Sequence, residues 1–189
     1  MIAIVGKIAS GKTRLLNELK QLGHKVFEAD YFVSKLYNDP KFALEVAKKV
    51  SLDLVSDSKV LKDKIKNELL NNSDAFIKLE NLVIDKVLEH LEANYYHFVE
   101  LPILFKMNKV QTKSIQEIWF LDIDESKRQE YLKTKHIDKA ILSTLDAKNN
   151  YIWSQTNNFN GIKVVNILVD KDRKNKEISK YNCHCQINI

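Results

Sequence analysis

Ile2-Ala-Ile-Val-Gly-Lys-Ile-Ala-Ser-Gly-Lys-Thr13 is the stretch whose reading decides the fold. Four apolar residues end at Gly6, and the run from Gly6 to Thr13 satisfies G-x-x-x-x-G-K-[ST], the phosphate-binding P-loop, at every position. The pattern has a physical reason. A backbone wrapped closely around phosphate oxygens needs glycine where a side chain would block the approach. Successive amide N–H groups and a helix N-terminus then face the anion. Gly6, Lys7, Ile8, Ala9, Ser10, Gly11, Lys12 and Thr13 are therefore expected to cradle a nucleoside triphosphate. Lys12 would reach the β- and γ-phosphates and the Thr13 hydroxyl would hold Mg²⁺. The chain has four glycines, and two of them stand where this motif requires them.

Outward from the loop, Ile2–Val5 predicts a buried strand, and leucines at 15, 16, 19 and 22 predict a helix closed by Gly23. Lys25–Ala29 predicts a second strand, parallel to the first through a right-handed crossover. Residues 31–94 read as helical, with segments near 31–37, 40–50, 59–71 and 74–93. Tyr95–Leu101, Ile115–Asp122 and Ile162–Val169 read as three more strands, and Ser126–Lys148 as a charged helical pair broken near His136. Strands alternating with helices give one α/β three-layer domain. The expected organisation is a core of about 1–30, 95–123 and 150–170 built on a five-stranded parallel sheet. A helical insertion at about 31–94, a lid at about 124–150 and a C-terminal tail at 171–189 complete it.

The chain has 189 residues, enough for one domain with a core of its own, and 44% hydrophobic with 29% charged residues suits a globular protein. No apolar run reaches the length of a membrane span, and no membrane partner is expected. The first residues lack the basic segment and cleavage site of a signal peptide, so a cytoplasmic address is expected. The net charge is +5, but the basic residues are interleaved with acids, and only Arg14, Arg128 and Arg173 are arginine. That distribution is not a basic stripe, and nucleic acid is not an expected partner. Cys183-His184-Cys185 lacks a second ligand pair at zinc spacing and reads as a tail. The scattered His24, His90, His97 and His136 show no metal spacing.

Two carboxylates belong with the loop. Asp30 follows the second strand, so its carboxylate is expected at the carboxyl edge of the sheet, where it could accept the proton of an attacking hydroxyl; the competing reading is an N-cap for the next helix. Glu100 ends the third strand and suits a ligand of Mg²⁺-bound water; the competing reading is a solvated strand end. The stretch with Lys127, Arg128, Lys133, Lys135 and Lys139 is either a lid that brings cations to the γ-phosphate or a solvated helix face.

Taken together, these residues resemble the dephospho-coenzyme A kinase family. The resemblance rests on Val5-Gly-Lys-Ile-Ala-Ser-Gly-Lys-Thr13, Glu28-Ala-Asp30, Leu79-Glu80 and Glu100-Leu-Pro-Ile-Leu-Phe105, in that order. It implies a nucleoside-monophosphate-kinase-like fold and phosphorylation of the ribose 3′-hydroxyl of dephospho-coenzyme A by MgATP. Asp30 and Lys12 would be catalytic, and Arg128 and Lys135 would join the P-loop on ATP. Lys62, Leu101, Pro102, Leu104 and Phe105 would contact the acceptor with Asp30, and Thr13 and Glu100 would serve the metal. The implied partners are small molecules, with a monomer expected. The sequence departs from the family at Ile84-Asp85, where the family has His-Pro, and at Lys106, where it has glutamate. Tyr131 and Lys135 stand at the two lid arginines, and lysine lacks their bidentate fork. Another small-molecule P-loop kinase and a non-catalytic nucleotide-binding protein are the alternatives.

Overall fold

The computed structural model describes residues 1–71, 73–134, 139–148 and 151–168. Lys135, His136, Arg173 and the Cys183-His184-Cys185 tail lie outside them. The elements are β1 (Ile2–Val5), α1 (Lys12–Gln21), β2 (Val26–Glu28), α2 (Ala29–Leu36), α3 (Pro40–Lys49), β3 (Val55–Ser56), β4 (Lys59–Val60), α4 (Lys62–Leu70), α5 (Asp74–Ala93), β5 (Phe98–Glu100), β6 (Glu117–Asp122), α6 (Glu125–Thr134), α7 (Lys139–Lys148), β7 (Asn158–Phe159) and β8 (Ile162–Leu168).

The main sheet has strand order β2-β5-β1-β6-β8-β7. Its first five strands are parallel, and β7 pairs antiparallel with β8. Six strands thus replace the five expected. The addition comes from Asn160 and Gly161, whose φ values of 55° and 88° fit the two-residue turn that closes a hairpin. That Asn-Gly signal is present in the sequence.

The central strands alternate between two cores, as a period of two requires. Ala3 and Val5 of β1, with Ile118 and Phe120 of β6, face the side packed by α3 and α5. Ile4, Trp119 and Leu121 face α1 through Leu15, Leu16 and Leu19. Local sequence fixes the helix starts. Asp39 accepts from the Lys41 amide at 2.8 Å ahead of Pro40, and Ser73 caps α5 by accepting from the Phe76 amide at 3.1 Å.

Two expected boundaries moved. The helix expected over 59–71 starts later, as α4, because Lys59 and Val60 form β4, which pairs with β3 in a hairpin; Asp57 and Ser58, with φ of 49° and 59°, make its turn. The second strand stops at Glu28 and α2 begins at Ala29, so Asp30 lies in the first helical turn and neither ends the strand nor caps the helix. Among the described residues no helix is long and apolar enough to cross a membrane.

Leu16 is fully buried beneath the helix that leaves the P-loop. Truncating it leaves a cavity that the three-layer packing cannot close. Leu16→Ala should cost about 2–5 kcal/mol, read as a shift of the urea midpoint at constant slope; a loss below about 1 kcal/mol would mean that the α1–sheet contact is loose.

Candidate active site

β1 ends in the sheet interior and delivers the chain to the loop at its carboxyl edge. A Cβ on Gly6 would lie 2.6 Å from Ser10 Oγ and 3.0 Å from the Leu121 carbonyl oxygen, so only glycine fits there. Gly11 has φ 92° and stands at the N-cap of α1, where no side chain accepts from the first-turn amides. Ala9 also has positive φ, 67°, which costs a residue with a Cβ about 1–2 kcal/mol. The Ser10 hydroxyl is buried with no hydrogen-bond partner in the structure. The helix start uncapped by any side chain, the left-handed residues and the cradle that a Cβ would fill fit a bound polyphosphate.

Lys12 opens α1. Its Nζ donates to the Gly6 and Lys7 carbonyls at 2.9 and 3.1 Å and lies 3.9 Å from Glu100 Oε1. Glu100 ends β5, level with Ile4 of β1 and Glu28 of β2. Its side chain is buried beside a buried ammonium, which offsets part of the cost of taking a carboxylate out of water. Among the described residues no three His, Cys, Asp or Glu cluster as a metal cage. Thr13 and Glu100 line the same cavity, and so sparse a protein donor set suits Mg²⁺, which keeps waters and phosphate oxygens as its other ligands.

That cavity, about 360 Å³, is lined by Ile8, Ala9, Gly11–Arg14, Asp30, Glu100 and, from α6, Tyr131 and Thr134. A second, apolar cavity of about 150 Å³ lies between α2, α5 and the chain after β5, with Val33, Val83, Val87, Leu101 and Pro102 in its wall. Asp30 borders both. It does so because β2 lies next to β5 in the sheet and α2 starts at once, setting the acidic residue on the helix's positive end.

Other expected residues fall elsewhere. Leu104 is wholly buried and packs in the core, so it presents no surface to an acceptor. Phe105 stacks on Tyr151 at 6.2 Å, and with Pro102 and Lys7 it lines a third cavity of about 290 Å³. Lys62 donates to Ser34 Oγ at 3.1 Å and lines neither of the first two cavities. Lys106 pairs with Glu80 of the Leu79-Glu80 motif. Arg128 is buried and does not line the phosphate cavity; its guanidinium is bonded to Ile8 O, Glu125 and Asp146. Arg14, Tyr131 and Thr134 were not singled out as binding residues. Arg14 could have been, as the residue directly after the motif. Tyr131 stands at one of the two lid-arginine positions, which marks the place if not the residue type, whereas Thr134, three further along α6, carries no ligand signal of its own.

A family described as an AAA domain matches residues 2–136. Curated dephospho-CoA kinases from Rickettsia bellii and Rickettsia typhi are 34% and 37% identical to the chain over 113 residues. Each match covers 56% of this chain and 56% of the relative, so the alignment spans about half the length of those enzymes. Among solved structures, TT1252 from Thermus thermophilus superposes with a TM-score of 0.68 at 14% identity, over 100% of this chain and 97% of that one. A dephospho-CoA kinase from Campylobacter jejuni superposes with a TM-score of 0.56 at 20% identity, over 97% and 96%. At these identities the superpositions establish a shared fold.

The cradle yields its own test. Gly6→Ala forces a Cβ into the Ser10 hydroxyl and the Leu121 carbonyl, so it should weaken MgADP binding by at least about tenfold, measured by titration calorimetry; undiminished affinity would mean that the loop tolerates the displacement.

Proposed function

The chain belongs to the AAA domain family, and from that premise we propose that it is a dephospho-coenzyme A kinase: an ATP-dependent phosphotransferase acting on the ribose 3′-hydroxyl of its acceptor. The observation that carries the reading is the position of Asp30. The residue borders the P-loop cavity and the apolar cavity, so a carboxylate is available where a donor phosphate and an acceptor hydroxyl would meet. The likeness to the Rickettsia enzymes supports the identity of the acceptor.

In this reading Gly6 to Thr13 bind the triphosphate through backbone amides. Lys12 leaves the Gly6 and Lys7 carbonyls for the β- and γ-phosphates and neutralises charge as it develops. Thr13 would hold Mg²⁺ and Glu100 a water on it, and the ion would supply positive charge to the phosphates. Asp30 orients the 3′-hydroxyl and accepts its proton as the oxygen bonds to the γ-phosphorus and the β–γ bridging bond breaks. The wall formed by Val33, Val83, Val87, Leu101 and Pro102 takes an apolar part of the acceptor and keeps water from the phosphoryl group. Lys62 and Phe105, outside that wall, contact the acceptor only where it extends beyond the apolar cavity, and Leu104 acts as support. Tyr131 and Thr134 close the phosphate side. Lys135, next in the chain after α6, is the cation proposed to complete it, and the protein is proposed to act as a cytoplasmic monomer.

The assay is formation of coenzyme A from dephospho-coenzyme A and MgATP, run with Asp30→Asn alongside. The wild-type chain should turn over. Asp30→Asn should lose about 10²–10⁴-fold in kcat while nucleotide affinity stays within about twofold. Turnover of a nucleoside with none of dephospho-coenzyme A would make this a different P-loop kinase. ATP binding without any acceptor phosphorylated would make it a nucleotide-binding protein, and a fully active Asp30→Asn would remove Asp30 from the chemistry.

A further inference from the structure

We infer that Arg128 is a positioning residue for the nucleotide: from α6 it holds the Ile8–Ala9 peptide so that the Ala9 amide faces the phosphate cavity. The inference rests on the reading of Gly6 to Thr13 as a phosphate cradle and is independent of the acceptor's identity.

Arg128 is 3% exposed, the most buried charged residue among those described. Its Nε donates to Ile8 O at 2.9 Å, across 120 residues of sequence. One terminal nitrogen donates to both oxygens of Asp146 on α7, at 2.8 and 2.6 Å, and the other to Glu125 at 3.1 Å. Three segments, the P-loop, α6 and α7, therefore meet on one guanidinium. Two carboxylates balance its charge. Burial alone would raise the Glu125 carboxyl, but the Gln129 hydrogen bond and the charges of Arg128 and Lys7 outweigh it and hold the group below its ordinary value. A guanidinium neutralised in this way, and absent from the wall of the phosphate cavity, is not placed as a cation for the γ-phosphate. It is placed to hold a carbonyl.

The carbonyl it holds is the one that matters for anion binding. A trans peptide is planar, so the Ile8 C=O and the Ala9 N–H point in opposite directions. With the oxygen fixed on Arg128, the amide turns toward the side on which Ile8, Ala9 and Gly11 line the cavity. Released, that peptide could rotate and present its oxygen to the phosphates, turning a donor into a repelling acceptor. The risk is real at this position because Ala9 has φ 67°, a backbone state that is strained for a residue with a Cβ and unstrained for glycine. A charge-assisted hydrogen bond is of the same order as that local bias, so one such bond decides the orientation.

A double-mutant cycle on MgADP affinity tests this, with wild type, Arg128→Met, Ala9→Gly and the pair compared by titration calorimetry. Arg128→Met should weaken binding about tenfold with Ala9 in place, and about threefold or less in the Ala9→Gly background, where the left-handed turn carries no Cβ strain to drive the peptide round. Equal losses in the two backgrounds, or an unchanged affinity in Arg128→Met, would overturn the inference. A merely structural arginine would lower the melting temperature in both backgrounds and leave the affinity of the folded protein alone. Should Arg128→Met not fold, Asp146→Asn replaces it in the cycle: the guanidinium stays but loses its bidentate anchor, and a smaller loss, again confined to the Ala9 background, is expected. Failure of the wild-type chain to bind MgADP strikes the cradle reading and this inference together, whereas intact affinity in Arg128→Met strikes the positioning role alone.

Discussion

Backbone amides can gather on a phosphate only if the chain between Gly6 and Gly11 turns through conformations that most residues avoid, and the surrounding structure is arranged to hold it there. β1 is locked between β5 and β6 and fixes where the loop starts. α1 is locked by Leu15, Leu16 and Leu19 against Trp119 and Leu121 and fixes where it ends. Between these anchors, steric necessity at Gly6, the left-handed turns at Ala9 and Gly11, and the Arg128 bond to Ile8 leave the backbone little choice. Lys12 folded onto the loop's own carbonyls completes the arrangement, supplying positive charge where Glu100 is buried.

The same sheet edge gives the two carboxylates different surroundings. Glu100 is level with Ile4 on the strand beside β1, buried and paired with Lys12, and its place is on the phosphate side. Asp30 sits one strand further out, in the first turn of the helix that follows, exposed, at the boundary between a polar and an apolar cavity. Position in the strand order thus leaves one carboxylate buried against a lysine and the other exposed between two cavities.

Much of this was legible in the sequence because it depends on local pattern. The P-loop, α3 behind Asp39-Pro40 and α5 behind Ser73 carry their own start signals, and the structure has them at those places. What was not legible depends on short turns or on distant contacts. The Asp57-Ser58 and Asn160-Gly161 hairpins involve strands of two residues, too short for a period to show. Asp30 moved from strand end to helix because α2 begins without a linker, a boundary that no side-chain signal marks. Arg128 looks like one more basic residue of a charged helix; only the fold reveals that its partners are a loop carbonyl far away in sequence and a carboxylate on the next helix. Leu104 reads as an acceptor contact because it lies within a recognisable motif, yet the 3₁₀ turn over Leu104–Lys106 turns it into the core.

The central claim is that one carboxylate bridges a nucleotide cradle and an acceptor cavity. A crystal structure of the chain with a non-hydrolysable ATP analogue, Mg²⁺ and dephospho-coenzyme A measures this directly. The account predicts phosphates across Gly6 to Thr13, Lys12 Nζ moved from the Gly6 and Lys7 carbonyls onto them, and the ribose 3′-hydroxyl hydrogen-bonded to Asp30. Phosphates bound elsewhere, or an acceptor whose 3′-hydroxyl lies out of reach of Asp30, would contradict it.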